Sequence, residues 1–233
     1  VRVTVPHEWP DSVERAIAIQ AELRPLVSTT TPAGLQVRTA AGLDVAYAEG
    51  SDELVAAVVV LDVADLRVVD SAVVAGEARF PYVSGLFAFR ELPALVAALE
   101  RLTVTPDLLV CDGQGIAHPR RFGLACHVGV LTGLPTVGVA KTPLGRYQPP
   151  GDRRGATSPL VDDATPEVIG RALRTQQGVK PVFVSVGHRI DLDRACAEVL
   201  RVTPRYRLPE TTRQADHVGR QALAERSRHE EGS

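Results

Sequence analysis

Between Asp107 and Lys141 the chain sets Asp112, Gly113, Gln114, Gly115, His118, Pro119, Arg120, Arg121, Gly123 and His127 ahead of a lone lysine. The residue types read strand, polar loop, helix: an apolar run ending at Cys111, a polar glycine-rich stretch over 112–121, then apolar Phe122–Leu131. An acid at the carboxyl end of a buried strand stands where open α/β sheets bind their ligands. Glycines let a backbone approach a phosphate, arginines grip it in a fork, and a carboxylate can hold a metal ion. A loop that only joins two elements rarely needs all of these together. The stretch reads as an active site.

Other acids gain meaning only beside this one. Gly42-Leu-Asp44-Val-Ala-Tyr47 puts a carboxylate inside an apolar strand. If buried, it must be hydrogen-bonded, paired or on a metal, because a bare buried charge is costly; a strand-edge acid facing water is the plain alternative. Asp112, followed by Gly113 and Gly115, would also suit a turn. Glu91 lies early in a helical segment and Asp216 on a terminal one, and alone each reads as a solvated helical acid. Lys141 closes the apolar Thr136–Ala140 run, placed either to meet a phosphate or to snorkel at the surface. Arg120 and Arg121 stand at a helix start, where free backbone N–H groups also favour phosphate. Tyr82, set between Pro81 and Gly85, reads as an exposed loop aromatic rather than a core one. His127 has the setting of a hydrogen-bonded core histidine, and His188 is open between support of the site and loop packing.

The elements that must position these groups follow from periodicity. Asp11-Ser-Val-Glu14 resembles a capping box opening a helix over about 11–24, broken by Pro25 and the 28–32 run. Gln36–Tyr47, Leu54–Val63 and Arg67–Gly76 are β-rich, with short connectors that suggest an antiparallel meander. Ala88–Leu102 has helical spacing. Then come a strand at Leu108–Cys111, a helix at Phe122–Thr132, a strand at Thr136–Ala140 and a loop at Gly145–Pro159. Strands at Glu167–Arg174 and Pro181–Val186, a helix at Asp191–Leu200 and a helix at Pro209–Arg226 complete one domain over 1–226. The polar 227–233 stretch is expected to fray. This is the order of a ribonuclease H-like α/β fold, a mixed sheet whose first three strands are antiparallel and whose later strands are parallel. In such a sheet an acid midway along the first strand neighbours one ending the fourth.

Composition sets the outer bounds. A chain of 233 residues buries roughly 70% of its unfolded surface in a single core. Net charge is −2, so any nucleic-acid surface must be a local patch rather than a global field. Of the 26 basic residues only Lys141 and Lys180 are lysine, as codon bias in a GC-rich genome would produce. Cys111, Cys126 and Cys196 are widely spaced in apolar surroundings and read as buried thiols of a reducing compartment, without disulfide-linked partners. No apolar run approaches a membrane span, the start lacks the order of a signal peptide, and Val1 reads as a non-ATG start codon written literally. A soluble, cytoplasmic, monomeric protein without membrane contact is expected.

Five motifs carry a family resemblance: Phe80-Pro-Tyr-Val-Ser-Gly-Leu-Phe-Ala-Phe-Arg-Glu91, Asp112-Gly-Gln-Gly-Ile-Ala-His-Pro-Arg120, Gly138-Val-Ala-Lys141, Val184-Ser-Val-Gly-His188 and Leu208-Pro-Glu-Thr-Thr-Arg-Gln-Ala-Asp216. In this order, from about Gly42 to Asp216, the chain resembles endonuclease V, the deoxyinosine 3′-endonuclease family of deaminated-base repair. Ser84 departs from the family's usual second proline in the tyrosine loop. The resemblance implies that Asp44, Glu91, Asp112 and Asp216 form a centre for Mg²⁺, with Mn²⁺ able to substitute. It places Lys141 and His118 beside the reacting phosphate, and makes Tyr82 a wedge pushed into the duplex, flanked by Pro81 and Gly85. Gly113, Gln114 and Gly115 would line an inosine pocket, and Arg120 and Arg121 would bind DNA. The implied activity is hydrolysis of the second phosphodiester 3′ to deoxyinosine. Cleavage of inosine-containing RNA is the same-class alternative. A non-catalytic phosphate- or nucleotide-binding α/β protein is the alternative of another class.

Overall fold

The protein is described from a computed structural model. It covers residues 1–231, leaving aside the side chains of 227 and 229–231. The chain runs α1 (Val13–Leu23), a 3-10 turn (Arg24–Leu26), β1 (Thr39–Tyr47), β2 (Glu53–Asp62), β3 (Val68–Glu77), α2 (Ala88–Arg101), β4 (Leu108–Asp112), α3 (Leu124–Thr132) and β5 (Thr136–Ala140). There follow β6 (Arg146–Tyr147), β7 (Thr157–Val161), β8 (Val168–Leu173), β9 (Val182–His188), α4 (Leu192–Arg201) and α5 (Glu210–Glu231). One nine-stranded sheet in the order β3-β2-β1-β4-β5-β9-β8-β7-β6 carries all the strands. The architecture is the ribonuclease H-like α/β fold: β1 to β3 form the antiparallel meander, and β4 lies parallel to β1.

Beyond β5 the expected run of parallel strands gives way. β5 pairs antiparallel with β9, and β9, β8, β7 and β6 continue antiparallel to the edge. Periodicity marks a strand but not the direction of its partner, and β8 to β9 are joined without a crossover helix. The stretch expected to be a loop, Gly145–Pro159, holds two-residue β6 and the start of β7. The first helix is capped by Ser12, which accepts from the Arg15 amide at 3.3 Å, rather than by Asp11. The last helix continues past Arg226 to Glu231, while 232–233 lie outside the described residues.

β2 is buried along nearly its whole length, which is why Leu54–Leu61 is a continuous apolar run rather than an alternating one. α2 covers one face of the sheet, while Ala215 of α5 packs with Ala57, Val59 and Leu61 against the other. Gly42 makes this second contact possible. A β-carbon there would sit 2.0 Å from the Thr211 carbonyl oxygen, so only glycine lets the start of α5 lie on β1. The parallel register pairs Leu43 with Cys111, so the next residues, Asp44 within β1 and Asp112 at the carboxyl end of β4, emerge side by side.

α3 packs under the N-terminal segment through two histidines. His7 Nδ1 faces the Glu8 carbonyl at 2.9 Å, and its Nε2 lies 3.1 Å from His127 Nε2. A carbonyl only accepts, so in a neutral pair the His7 proton is on Nδ1 and His127 donates from Nε2. His127 Nδ1 is then a bare lone pair, buried without a partner beside Phe89 and Phe122. Burial, followed by the His7 charge, pushes His127 down to about 3. A base whose folded pKa is depressed contributes stability that is intact above the ordinary value near 6.5 and is lost as pH falls toward the folded one. From pH 7 to pH 5 one such group costs about 2 kcal/mol, or roughly 4–8 °C in Tm for a chain of this size. Thermal melts of His127→Phe should therefore show a pH dependence shallower by that amount. An unchanged slope would show that His127 does not set the acid sensitivity.

Candidate active site

Five elements converge where β4 ends beside the interior of β1. Asp44 comes from β1, Glu91 from the first turn of α2, and Asp112 from the last residue of β4. Lys141 follows β5, and Asp216 and Arg220 extend from α5 one helical turn apart. All six line one cavity of about 340 Å³. The acids that meant little singly in the sequence therefore share one space.

That space is electrostatically unsatisfied. Burial pushes Asp44 up to about 7, and the charges of Asp112 and Asp216 add to the rise while Lys141 and Arg220 oppose it. Glu91, only 8% exposed, is raised to about 8 by burial and then by Asp44 and Asp112. Lys141 Nζ lies 2.5 Å from Asp112 Oδ2. Burial alone would lower the lysine, but that hydrogen bond and the surrounding carboxylates hold it above its ordinary range. Arg220 Nε donates to Asp216 Oδ1 at 2.7 Å. Among the described residues no three His, Cys, Asp or Glu side chains form a ready ligand cage. The donor set is nonetheless all oxygen and rich in negative charge, as suits a hard divalent cation that keeps several waters and takes only one or two carboxylates. The residues fit such an ion.

A second cavity of about 210 Å³ adjoins the first and shares Phe87, Glu91, Asp112 and Leu124 with it. Gly113 and Gln114 line it, together with Gly85, His118 and Leu144. Gly115 does not. Its amide donates to Ser185 Oγ at 2.8 Å, and its backbone is pressed against β9. Gln114 Nε2 donates to the Thr142 carbonyl at 3.2 Å, which fixes the amide's orientation and leaves Oε1 buried without a partner.

Tyr82 is 77% exposed, and its ring meets that of Phe87, a residue lining both cavities, in a T-shaped contact at 5.6 Å between centroids. Pro81 beside it is exposed too. A core role for Tyr82 is excluded by that exposure.

The two arginines expected at a phosphate point elsewhere. Arg120 donates from Nε to Gln20 Oε1 at 2.5 Å and from Nη2 to the Gly85 carbonyl at 2.6 Å. Arg121, at φ 56°, turns away and pairs with Asp162 and Glu167 at 2.8 Å each. His118 accepts from the Arg120 amide at Nδ1 and donates from Nε2 to the Gly85 carbonyl at 3.0 Å. Burial and the Arg120 charge push it down to about 4, so it lines the second cavity as a neutral ring with both nitrogens engaged. His188 accepts from the Ser28 amide at 3.2 Å, a loop contact. Sequence reasoning passed over Arg220, although its spacing of four from Asp216 is the helical pairing distance. It also passed over Gln20, whose signal was a polar residue on the buried stripe Ala16, Ile19, Gln20, Leu23.

Residues 21–217 match the Endonuclease V family. The endonuclease V of Streptomyces avermitilis is 57% identical over 226 residues, covering 96% of this chain and 97% of that protein. Its crystal structure superposes with a TM-score of 0.89 at 55% identity, over 97% of this chain and all of that one. The structure of Ciona intestinalis endonuclease V with a 24-mer DNA containing an inosine followed by a ribo-adenosine superposes with a TM-score of 0.77 at 27% identity, covering 93% of this chain and 99% of that one. With motif order, fold and near full-length identity in agreement, the chain belongs to the endonuclease V family of nucleases.

Proposed function

We propose that the protein is a Mg²⁺-dependent repair endonuclease that hydrolyses the second phosphodiester 3′ to deoxyinosine in DNA, and that Mn²⁺ can replace Mg²⁺. The observation that carries this reading is the meeting of Asp44, Glu91, Asp112 and Asp216 around one cavity, with Lys141 in its wall and the exposed Tyr82 packed on Phe87 of that wall. Asp44, Glu91 and Asp112 would hold the ion, with Asp216 completing its surroundings. Once bound, the ion would supply positive charge for the attacking water and the leaving 3′ oxygen. Lys141, held protonated by its carboxylate neighbours, faces the scissile phosphate and orients the water. The smaller cavity takes the displaced base. Hypoxanthine carries an N1–H donor where adenine has an acceptor, and Gly113 and Gln114 of that wall are the residues that would contact the base. Tyr82 stacks on the opened base step, an expense smallest where a deaminated base already pairs poorly.

All of these groups come from one domain of one chain, which supports a monomer working within 1–226. The three buried free thiols fit a reducing, cytoplasmic setting. The test is a side-by-side nicking assay on matched duplex DNA, single-stranded DNA and RNA oligonucleotides, each with one inosine, with and without Mg²⁺. Mg²⁺-dependent nicking of the DNA is expected. Faster cleavage of the RNA would move the substrate to that class, and no cleavage of either would remove the reading.

Lys141→Ala supplies a sharper check. Loss of one preorganised donor at a phosphoryl group should lower kcat roughly 100-fold, with DNA affinity changed much less. A larger effect on affinity than on turnover would make Lys141 a binding residue only.

A further inference from the structure

Gln20 lies on α1, 1% exposed, and its amide is fully committed. Nε2 donates to the carbonyls of Gly85 at 3.1 Å and Phe122 at 3.2 Å, while Oε1 accepts from Arg120 Nε. The Gly85 carbonyl thus receives three donors: Gln20 Nε2, His118 Nε2 and Arg120 Nη2. A carbonyl oxygen offers two lone pairs, so this one is saturated. Gly85 has φ 78°, and a β-carbon there would meet Arg120 Nη2 at 2.7 Å. It is the hinge at which the Tyr82 loop turns into α2. The other end of that loop is tied by Arg90, whose Nη1 donates to the Phe80 carbonyl at 2.7 Å. Between the two ties Tyr82 projects into solvent.

We propose that Gln20 is a positioning residue for the wedge: with Arg120 and His118 it fixes the Gly85 hinge, so that the Tyr82 loop is set before DNA arrives. The inference rests on the reading of Tyr82 as a wedge. Ordering a loop at the moment of binding lowers affinity, and a preset loop avoids that loss. It also gives Arg120 a role other than phosphate contact, consistent with a guanidinium turned toward α1.

The experiment uses Gln20→Met, which keeps the shape and removes all three hydrogen bonds. KM for inosine-containing duplex should rise roughly 5- to 30-fold with kcat changed little. The loss should be smaller on single-stranded inosine DNA, where less pairing is opened. Combined with Tyr82→Ala it should add nothing, because both act through one element. Equal losses on duplex and single strand, or additive losses in the double variant, would overturn the proposal. Should Gln20→Met fail to fold, Arg120→Gln should show the same duplex-specific loss with an unchanged salt dependence. A log–log salt slope flatter by about one unit would instead mark Arg120 as a phosphate contact and overturn the clamp. If Tyr82→Ala itself matches wild type on duplex, the wedge reading has failed; if it does not and Gln20→Met does, only the clamp has.

Discussion

Asp44→Ala or Asp112→Ala is expected to remove metal-dependent nicking by about 1,000-fold or more, the scale set by several kcal/mol of charge stabilisation at the reacting phosphate. The chain should stay folded. Each side chain removed belongs to a crowded group of like charges lining a cavity rather than to the packed core. Tm without divalent metal should therefore equal or exceed that of wild type. Loss of Asp112 also frees Lys141, but that ammonium is half exposed and water can solvate it. Glu91→Ala should act in the same direction. Near-normal Mg²⁺-dependent turnover by purified Asp44→Ala or Asp112→Ala would refute the carboxylate centre.

Tyr82→Ala should separate lesion recognition from chemistry. The acids and Lys141 remain in place, while the stacking that holds the opened duplex is gone. At about 1–3 kcal/mol per stacked base, affinity for inosine duplex should fall roughly 5- to 150-fold. Tyr82→Phe and Tyr82→Trp should recover most of it, since ring surface rather than the hydroxyl does the stacking. Binding titrations on duplex and single-stranded inosine DNA decide the matter. Equal affinity of Tyr82→Ala and wild type for the duplex would mean the ring is not a wedge.

The sequence carried the strand-bound acids well because their signal is local. The apolar run ending at Asp112 and the apolar strand around Asp44 announce themselves, and the ribonuclease H-like order of elements supplied the expectation that the first and fourth strands are neighbours. The helical acids Glu91 and Asp216 had no local signal, and only the motif resemblance drew them in. Arg120 and Arg121 show the limit most plainly. They are adjacent, yet one reaches Gln20 on α1 and the other Asp162 and Glu167 beyond β7, because Arg121 takes a left-handed backbone conformation. Nothing in two neighbouring arginines says which acceptors, 100 and 46 residues distant, the fold will bring up. The antiparallel return of β9 onto β5 was hidden for the same reason. Strand pairing is a tertiary fact.

The most direct test of a metal-dependent inosine endonuclease is product mapping on a duplex with one deoxyinosine, using protein first stripped with a chelator. The expected result is no cleavage until Mg²⁺ is restored, and then a single nick whose 5′ fragment ends one nucleotide beyond the inosine. Cleavage that persists with chelator present, or that falls equally on the undamaged duplex, would contradict the account.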